Sequence, residues 1–223
     1  MKKLNLIFVI GAVVLCVALA PARAEIIKIG LTARVDSVVD SYNLLDGKIQ
    51  GGDTIMGFYT YDSIPDSIEY YPDTRGYLYL GSPYGMTLMD NGITFQTDYA
   101  NVNFVIGISN DSQGNDGYSA GSKNNLMLVD NVPTSDIILD TFFWQLTDNF
   151  GVAISTTDLP VTPPDLSKWP FNNLHISGGI GGTAPCYDKP FGIDGHVTSA
   201  YLIPEPLSLG LLGFGSLFLR RKV

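Results

Sequence analysis

The chain has 223 residues, with 13 Lys or Arg against 22 Asp or Glu, for a formal net charge of −9. So acidic a chain repels phosphate backbones, and this excludes nucleic-acid binding, which needs basic neutralisation. Hydrophobic residues make up 45%, enough to fill a core, so the 24 glycines and 13 prolines read as turn formers rather than as disorder.

The first predicted element is a segment to be removed. Lys2 and Lys3 give a positive start, Leu4 to Leu19 is almost unbroken apolar sequence, and Ala22-Arg23-Ala24 supplies the small-x-small pattern ahead of Glu25. Residues 1–24 therefore read as a secretory signal cut after Ala24 by signal peptidase. Cys16 follows Val14-Leu15 inside the apolar run, which does not suit a lipid-acceptor cysteine. Cys186 is then the one cysteine left after cleavage, so no intrachain disulfide forms in an oxidising compartment. A buried or loop thiol is its expected role.

Residues 25–203 read as one domain. Ile27, Ile29, Leu31, Ala33 and Val35 alternate with Lys28, Gly30, Thr32 and Arg34, the period of a half-buried strand. Thr54–Tyr61 and Arg75–Leu80 follow as strands. Thr87–Phe95 carries Asn91-Gly92 between apolar alternations, which predicts a hairpin with a two-residue turn. Further strands are predicted at Asn103–Ser109, Ile137–Leu146, Val152–Ser155, Leu174–Ser177 and Val197–Ile203, with a loop from Asn110 to Tyr118. One helical turn is expected at Asp165–Trp169, after Pro163-Pro164. In this body Glu25 and Glu69 are the sole glutamates and the other acids are aspartates, which favours turns over helices. Short strands without alternating helices predict an all-β fold, an antiparallel jelly-roll-like β-sandwich.

No catalytic constellation stands out. A serine hydrolase needs a histidine beside the nucleophile and an acid behind it, and His175 and His196 sit in no recognisable motif. His175 reads as a strand residue and His196 as a solvent-facing residue entering the last strand. The many aspartates make any glycosidase pair uninformative. Calcium is the better candidate for the acids, because Asp111-Ser112-Gln113-Gly114-Asn115-Asp116-Gly117 gathers hard oxygens. Asp111, Asn115 and Asp116 are its candidate ligands, although the loop departs from the helix-loop-helix calcium pattern and a plain acidic turn is the competing reading. Asp62, Asp66, Glu69 and Asp73 form a second acidic cluster, interrupted by Pro65 and Pro72. Gly178-Gly179-Ile180-Gly181-Gly182 lacks the Lys-Ser/Thr of a phosphate cradle and reads as a surface loop. Tyr70, Tyr71, Tyr77, Tyr79 and Tyr84 crowd one stretch and would form a sugar-stacking platform if they face solvent.

The chain closes on Pro204-Glu205-Pro206, the apolar run Leu207–Leu219, and Arg220-Arg221-Lys222. As a helix the run would reach about 20 Å, short of the roughly 30 Å hydrocarbon core, so it is a marginal anchor. The basic cluster would stay cytoplasmic and leave the body outside. The prolines hold the chain extended around Glu205. Together with the N-terminal signal, this tail resembles the PEP-CTERM sorting arrangement. The resemblance covers residues 204–223, with Leu207 in place of the small or hydroxyl residue many relatives carry. It implies recognition of Pro204, Glu205 and Pro206 by an exosortase, transient anchoring in the inner membrane, and delivery to the cell surface or an exopolysaccharide matrix. Gly57–Asp62, Asn91–Phe95, Asn110–Tyr118 and Leu159–Leu166 also resemble bodies found on such tails, a family that implies no activity.

Losing both ends removes six basic residues and one acidic residue, leaving 7 against 21 and a net charge of −14. Three functional classes follow: a non-catalytic surface or matrix protein without a required cofactor, which is the leading expectation; a carbohydrate-binding module for matrix polysaccharide; and a secreted hydrolase with an acidic site.

Overall fold

The structure is a computed structural model that describes residues 25–182 and 187–204. The expected signal segment with Cys16, Ala22 and Ala24, the thiol Cys186, and the tail from Glu205 and Pro206 through Arg220, Arg221 and Lys222 lie outside the described residues.

Thirteen strands are formed among the described residues: β1 (Ile26–Val39), β2 (Thr54–Asp62), β3 (Ser67–Tyr71), β4 (Thr74–Tyr79), β5 (Gly85–Asp90), β6 (Ile93–Thr97), β7 (Phe104–Ser112), β8 (Asn115–Ser122), β9 (Asn125–Val129), β10 (Val132–Pro133), β11 (Ile138–Asp148), β12 (Phe171–Ile180) and β13 (Lys189–Leu202). The expected alternation in β1 is realised, with Ile27, Ile29, Leu31, Ala33 and Val35 all buried. Asn91 and Gly92 both take positive φ between β5 and β6, the turn expected from their chemistry. The helical turn is a 3-10 turn at Leu166–Lys168, capped by Asp165.

The sandwich expected from the sequence is corrected to a closed barrel. Eight antiparallel strands run β9-β6-β5-β2-β1-β13-β12-β11, and β9 meets β11 to close the ring. Outside it, β8, β7, β4 and β3 continue from β11, and β10 lies on β9. Closure comes from one bent path. Ser122 of β8 faces Phe142, and three residues on, in unbroken register, Asn125 of β9 faces Leu139. On the other edge the same path leaves β7 and joins β6. Side chains hold the corner: Asn124 Nδ2 donates to the Asn101 carbonyl at 2.8 Å, and Asn125 Nδ2 to the Ser122 carbonyl at 2.9 Å.

Inward-facing glycines supply the curvature. A Cβ on Gly178 would lie 2.2 Å from the Ile138 carbonyl oxygen, and one on Gly195 would lie 2.4 Å from that of Arg34. Both glycines pair with strand positions next to a bulge, at Leu139/Thr141 and at Val35/Ser37. A bulge on one strand and a bare backbone on its partner let the ladder coil tightly enough to close. Gly178, Gly179 and Ile180 thus finish β12, correcting the expected loop, while Gly181 and Gly182 follow it with positive φ.

The interior is aromatic: Trp144, Tyr59, Tyr61, Tyr79, Phe95, Phe104 and Phe142 are all fully buried. Rings of Tyr59, Phe104, Trp144 and Tyr118 lie with centroids 5.6–6.2 Å apart, within the range of favourable aromatic pairing. Buried hydroxyls are tied: Tyr59 and Tyr118 to each other at 2.6 Å, Tyr79 to the Asp62 carbonyl at 2.7 Å. Burial raises all three phenol pKa values, and that of Tyr61.

Residues 149–170 form a strap between β11 and β12. The strand expected at Val152–Ser155 is absent there, because side chains rather than a neighbouring strand satisfy its backbone. Asp148 accepts from the N–H groups of Phe150 and Val152 at 3.0 and 2.9 Å, and Asp116 accepts from Ile154 N–H at 2.9 Å. Tyr61 and Tyr77 donate to the carbonyls of Pro160 and Thr157, each at 2.6 Å, and Arg75 pairs with Asp158 at 2.7 Å.

Candidate functional site

The strands outside the ring carry a broad outward face, and its register can be followed row by row. One row runs Tyr71, Thr74, Ser109, Gly117, Thr147, Phe171 across β3, β4, β7, β8, β11 and β12. Thr74 and Ser109 hydroxyls meet at 2.9 Å, as neighbours on one face must. The next row, two residues along each strand, is Glu69, Gly76, Gly107, Ser119, Gln145, Asn173, and the third is Ser67, Leu78, Val105, Gly121, Phe143, His175. At about 4.8 Å per strand the rows span about 24 Å, and they lie about 7 Å apart.

Small side chains floor the middle of this face and larger ones stand at its sides. A groove of about 480 Å³ lies over Ser119 and Gly121, with Glu69, Leu78 and Val105 on one wall and Phe143 and Gln145 on the other. Lys123, Asp140 and Thr141 close one end. Past Gln145 it continues into a hollow of about 280 Å³ beside Thr147, Asn149, Phe171 and Asn173. Phe171 and Tyr71, at opposite ends of their row, are 56% and 63% exposed, more than packing in a core would leave. Apolar ring faces with amides, hydroxyls and carboxylates between them are the equipment for gripping a polyhydroxylated chain, whose C–H faces stack and whose hydroxyls both donate and accept.

Of the two histidines, His175 ends the third row of this face and His196 lies on β13, paired with Arg34 of β1. His175 stacks obliquely on Phe143, centroids 5.8 Å apart, and its Nδ1 lies 2.6 Å from Asp194 Oδ1. His196, mid-strand in β13 rather than at its start, places Nδ1 2.9 Å from Asp36 Oδ2. Among the described residues neither ring bonds a serine or threonine hydroxyl, the contact that would make a nucleophile.

Other expected sites are dispersed. Of the crowded tyrosines, Tyr77 and Tyr79 are core residues and Tyr84 is half-buried on Asp62. Tyr70 and Tyr71 remain exposed, and of these Tyr71 shares the outward face with Glu69. The expected loop at 110–118 is the β7–β8 hairpin, tipped by Gln113 and Gly114. There Asp116 is 1% exposed and both its oxygens are taken, Oδ1 by the Asp111 N–H at 2.9 Å and Oδ2 by the Ile154 N–H. Asp116 therefore ties the strap to the hairpin. Among the described residues no group of three or more His, Cys, Asp or Glu is arranged to hold a metal ion. Asp62 is likewise spent on Ile64 N–H and the Tyr84 hydroxyl, and Asp66 on Leu80 N–H. Replacing Asp116 by asparagine removes one acceptor for a buried N–H, so Asp116→Asn should lower the unfolding free energy by about 1–3 kcal/mol. Urea denaturation with and without chelator checks this, since a structural role makes the loss independent of calcium.

The glycine- and serine-rich floor was hard to find in the sequence because β8, NDGYSAGS, carries no run of large apolar residues. Phe171 and Asn173 were missed because β12 begins three residues before its apolar core at Leu174. Compared with known proteins, the chain matches no family model, no curated protein and no solved structure.

Proposed function

We propose that this chain is an exported, non-catalytic protein, sorted through Pro204-Glu205-Pro206 by an exosortase and held at the cell surface or in the extracellular matrix by binding polysaccharide. The observation that carries the binding is the outward face on which Phe143 and Phe171 flank the Gln145–Asn173 pair beside a floor of small residues. The sorting rests on the tail sequence and its resemblance to PEP-CTERM proteins. No cofactor is required by this reading.

Two measurements test it. On immobilised exopolysaccharide from the producing cells, the paired change Phe143→Ala and Phe171→Ala should weaken retention at least tenfold. Tyr42→Ala, an exposed tyrosine in the β1–β2 connection, should leave it unchanged. Failure of the parent protein to bind any polysaccharide would remove the reading. For sorting, mass spectrometry of the protein from its own cells should find the C-terminus trimmed at the Pro-Glu-Pro segment, and an intact Val223 would argue against exosortase processing.

A further inference from the structure

We propose that the cavity beneath the 149–170 strap is a second binding site, one that takes a compact, uncharged, largely apolar molecule bearing a carbonyl oxygen. It measures about 480 Å³, within the range of small-molecule pockets. Its floor is the inner face of β7 and β8, with Ile108 and Tyr118 buried there, and Trp169 and Ala153 are buried walls. Leu159 and Pro160 of the strap, both half-buried, also line it.

The preference for a neutral guest follows from the lining. At the rim Asp158 holds Arg75 at 2.7 Å, Asp165 accepts from both the N–H and hydroxyl of Ser167, and Lys168 is exposed to solvent rather than buried among the lining. None of the buried lining residues carries a charge, so an ion placed among them would lose its hydration uncompensated.

The preference for an acceptor oxygen follows from a count of protons. Tyr59 and Tyr118 are 0% and 3% exposed, and their hydroxyls meet at 2.6 Å. Each hydroxyl brings one proton, and one proton suffices for the bond between them. Among the described residues each has the other as its partner, so the pair retains one donor without an acceptor, a costly state for a buried group. Tyr118 lines the cavity and Tyr59 does not, so the spare donor is assigned to Tyr118, where a guest's carbonyl would complete the pair. The strap is anchored by two tyrosine hydroxyls, one ion pair, the Asp116 and Asp148 carboxylates and the buried Ala153 and Trp169, while Ser155, Thr156 and Thr162 on the cavity's lining are exposed, so a guest can enter from that side without opening the barrel.

The test is a fluorescence titration of the full chain with two neutral probes, 6-propionyl-2-dimethylaminonaphthalene, which has a ketone, and N-phenyl-1-naphthylamine, which has none. Both should bind saturably at one equivalent. Ala153→Phe, which fills the cavity, should weaken both at least tenfold, with Ser155→Trp at the rim as the second filled variant should the first not fold. Tyr118→Phe should weaken the ketone probe about tenfold and leave the amine within twofold, thermal melts confirming that each variant is folded. Absence of saturable binding, or unchanged binding in the filled variants, overturns the site. An equal loss of both probes in Tyr118→Phe overturns the carbonyl assignment. Polysaccharide retention should be unaffected throughout, since the outward face lies on the opposite side of β7 and β8.

Discussion

Replacing Gly57 by alanine should destabilise the domain by about 3 kcal/mol or more, and by valine should prevent it from folding. Gly57 faces inward on β2, paired with Leu31 on one side and Leu88 on the other. A Cβ there would stand 1.9 Å from the Thr87 carbonyl oxygen and 2.8 Å from the Leu88 Cα. Both obstacles are backbone, so no rotamer change relieves the clash. The β2–β5 ladder would have to part, at a point where Tyr59, Met86 and Leu88 are fully buried. Overpacking by one methyl usually costs about 1–3 kcal/mol, and more when the backbone must give way. Gly192 is the internal control, since a Cβ at that position meets nothing within 4 Å, and Gly192→Ala should change stability by no more than about 0.5 kcal/mol. Urea unfolding of the two variants side by side decides it. Equal, small effects would mean that the ring tolerates a wider crossing at β2–β5 than its geometry implies.

Alkali should unfold the protein abruptly rather than titrate it gradually. Tyr59, Tyr61, Tyr79 and Tyr118 have phenol pKa values raised above the ordinary value of 10.0, chiefly by burial. A phenol is neutral when protonated, so a raised folded-state pKa means that the folded chain holds protons the unfolded chain releases. The resulting stability is fully present below the unfolded value near 10 and is lost as pH climbs towards the folded values. Each such group removes about 1.4 kcal/mol per pH unit in that window, so four together remove about 5–6. Against a typical total of about 5–15 kcal/mol, unfolding should be complete within about three pH units above 10. The tyrosinate absorbance belonging to these four buried phenols should appear together with the loss of near-ultraviolet circular dichroism, at one midpoint. Ionisation of all the tyrosines with the dichroism intact would contradict the buried-hydroxyl account. Pairing Tyr59→Phe with Tyr118→Phe should roughly halve the slope, leaving two of the four groups.

The same tyrosines show where sequence reading stops. Alternation in Ile27–Val35 and the Asn91-Gly92 turn are local signals, complete within a few residues, and both are realised. Tyr77 and Tyr79 looked available for stacking on sugar, yet they lie inside because β4 packs its inner face towards β2, a partner more than a dozen residues away. Glycines misled in the opposite way. Gly178, read as part of a surface loop, and Gly195, ahead of the predicted last strand, are strand residues whose missing side chains admit a neighbouring backbone, as does Gly57 within the expected strand Thr54–Tyr61. Nothing in the immediate sequence distinguishes that use from a turn.

What the amino-acid sequence determined by itself was the β character of the chain, most of its strand positions, one hairpin and the helical turn within Asp165–Trp169, all set by side-chain period and backbone preference over short spans. What only the tertiary structure decided was the closure of the ring, the strap and the two surfaces proposed as sites. Closure depends on which edges meet after the chain bends at Lys123–Asn124, and the outward face exists because β3, β4, β7, β8, β11 and β12 come into register. Pairings between distant segments answer to the packing of the whole core, and that information is spread over residues no local window contains.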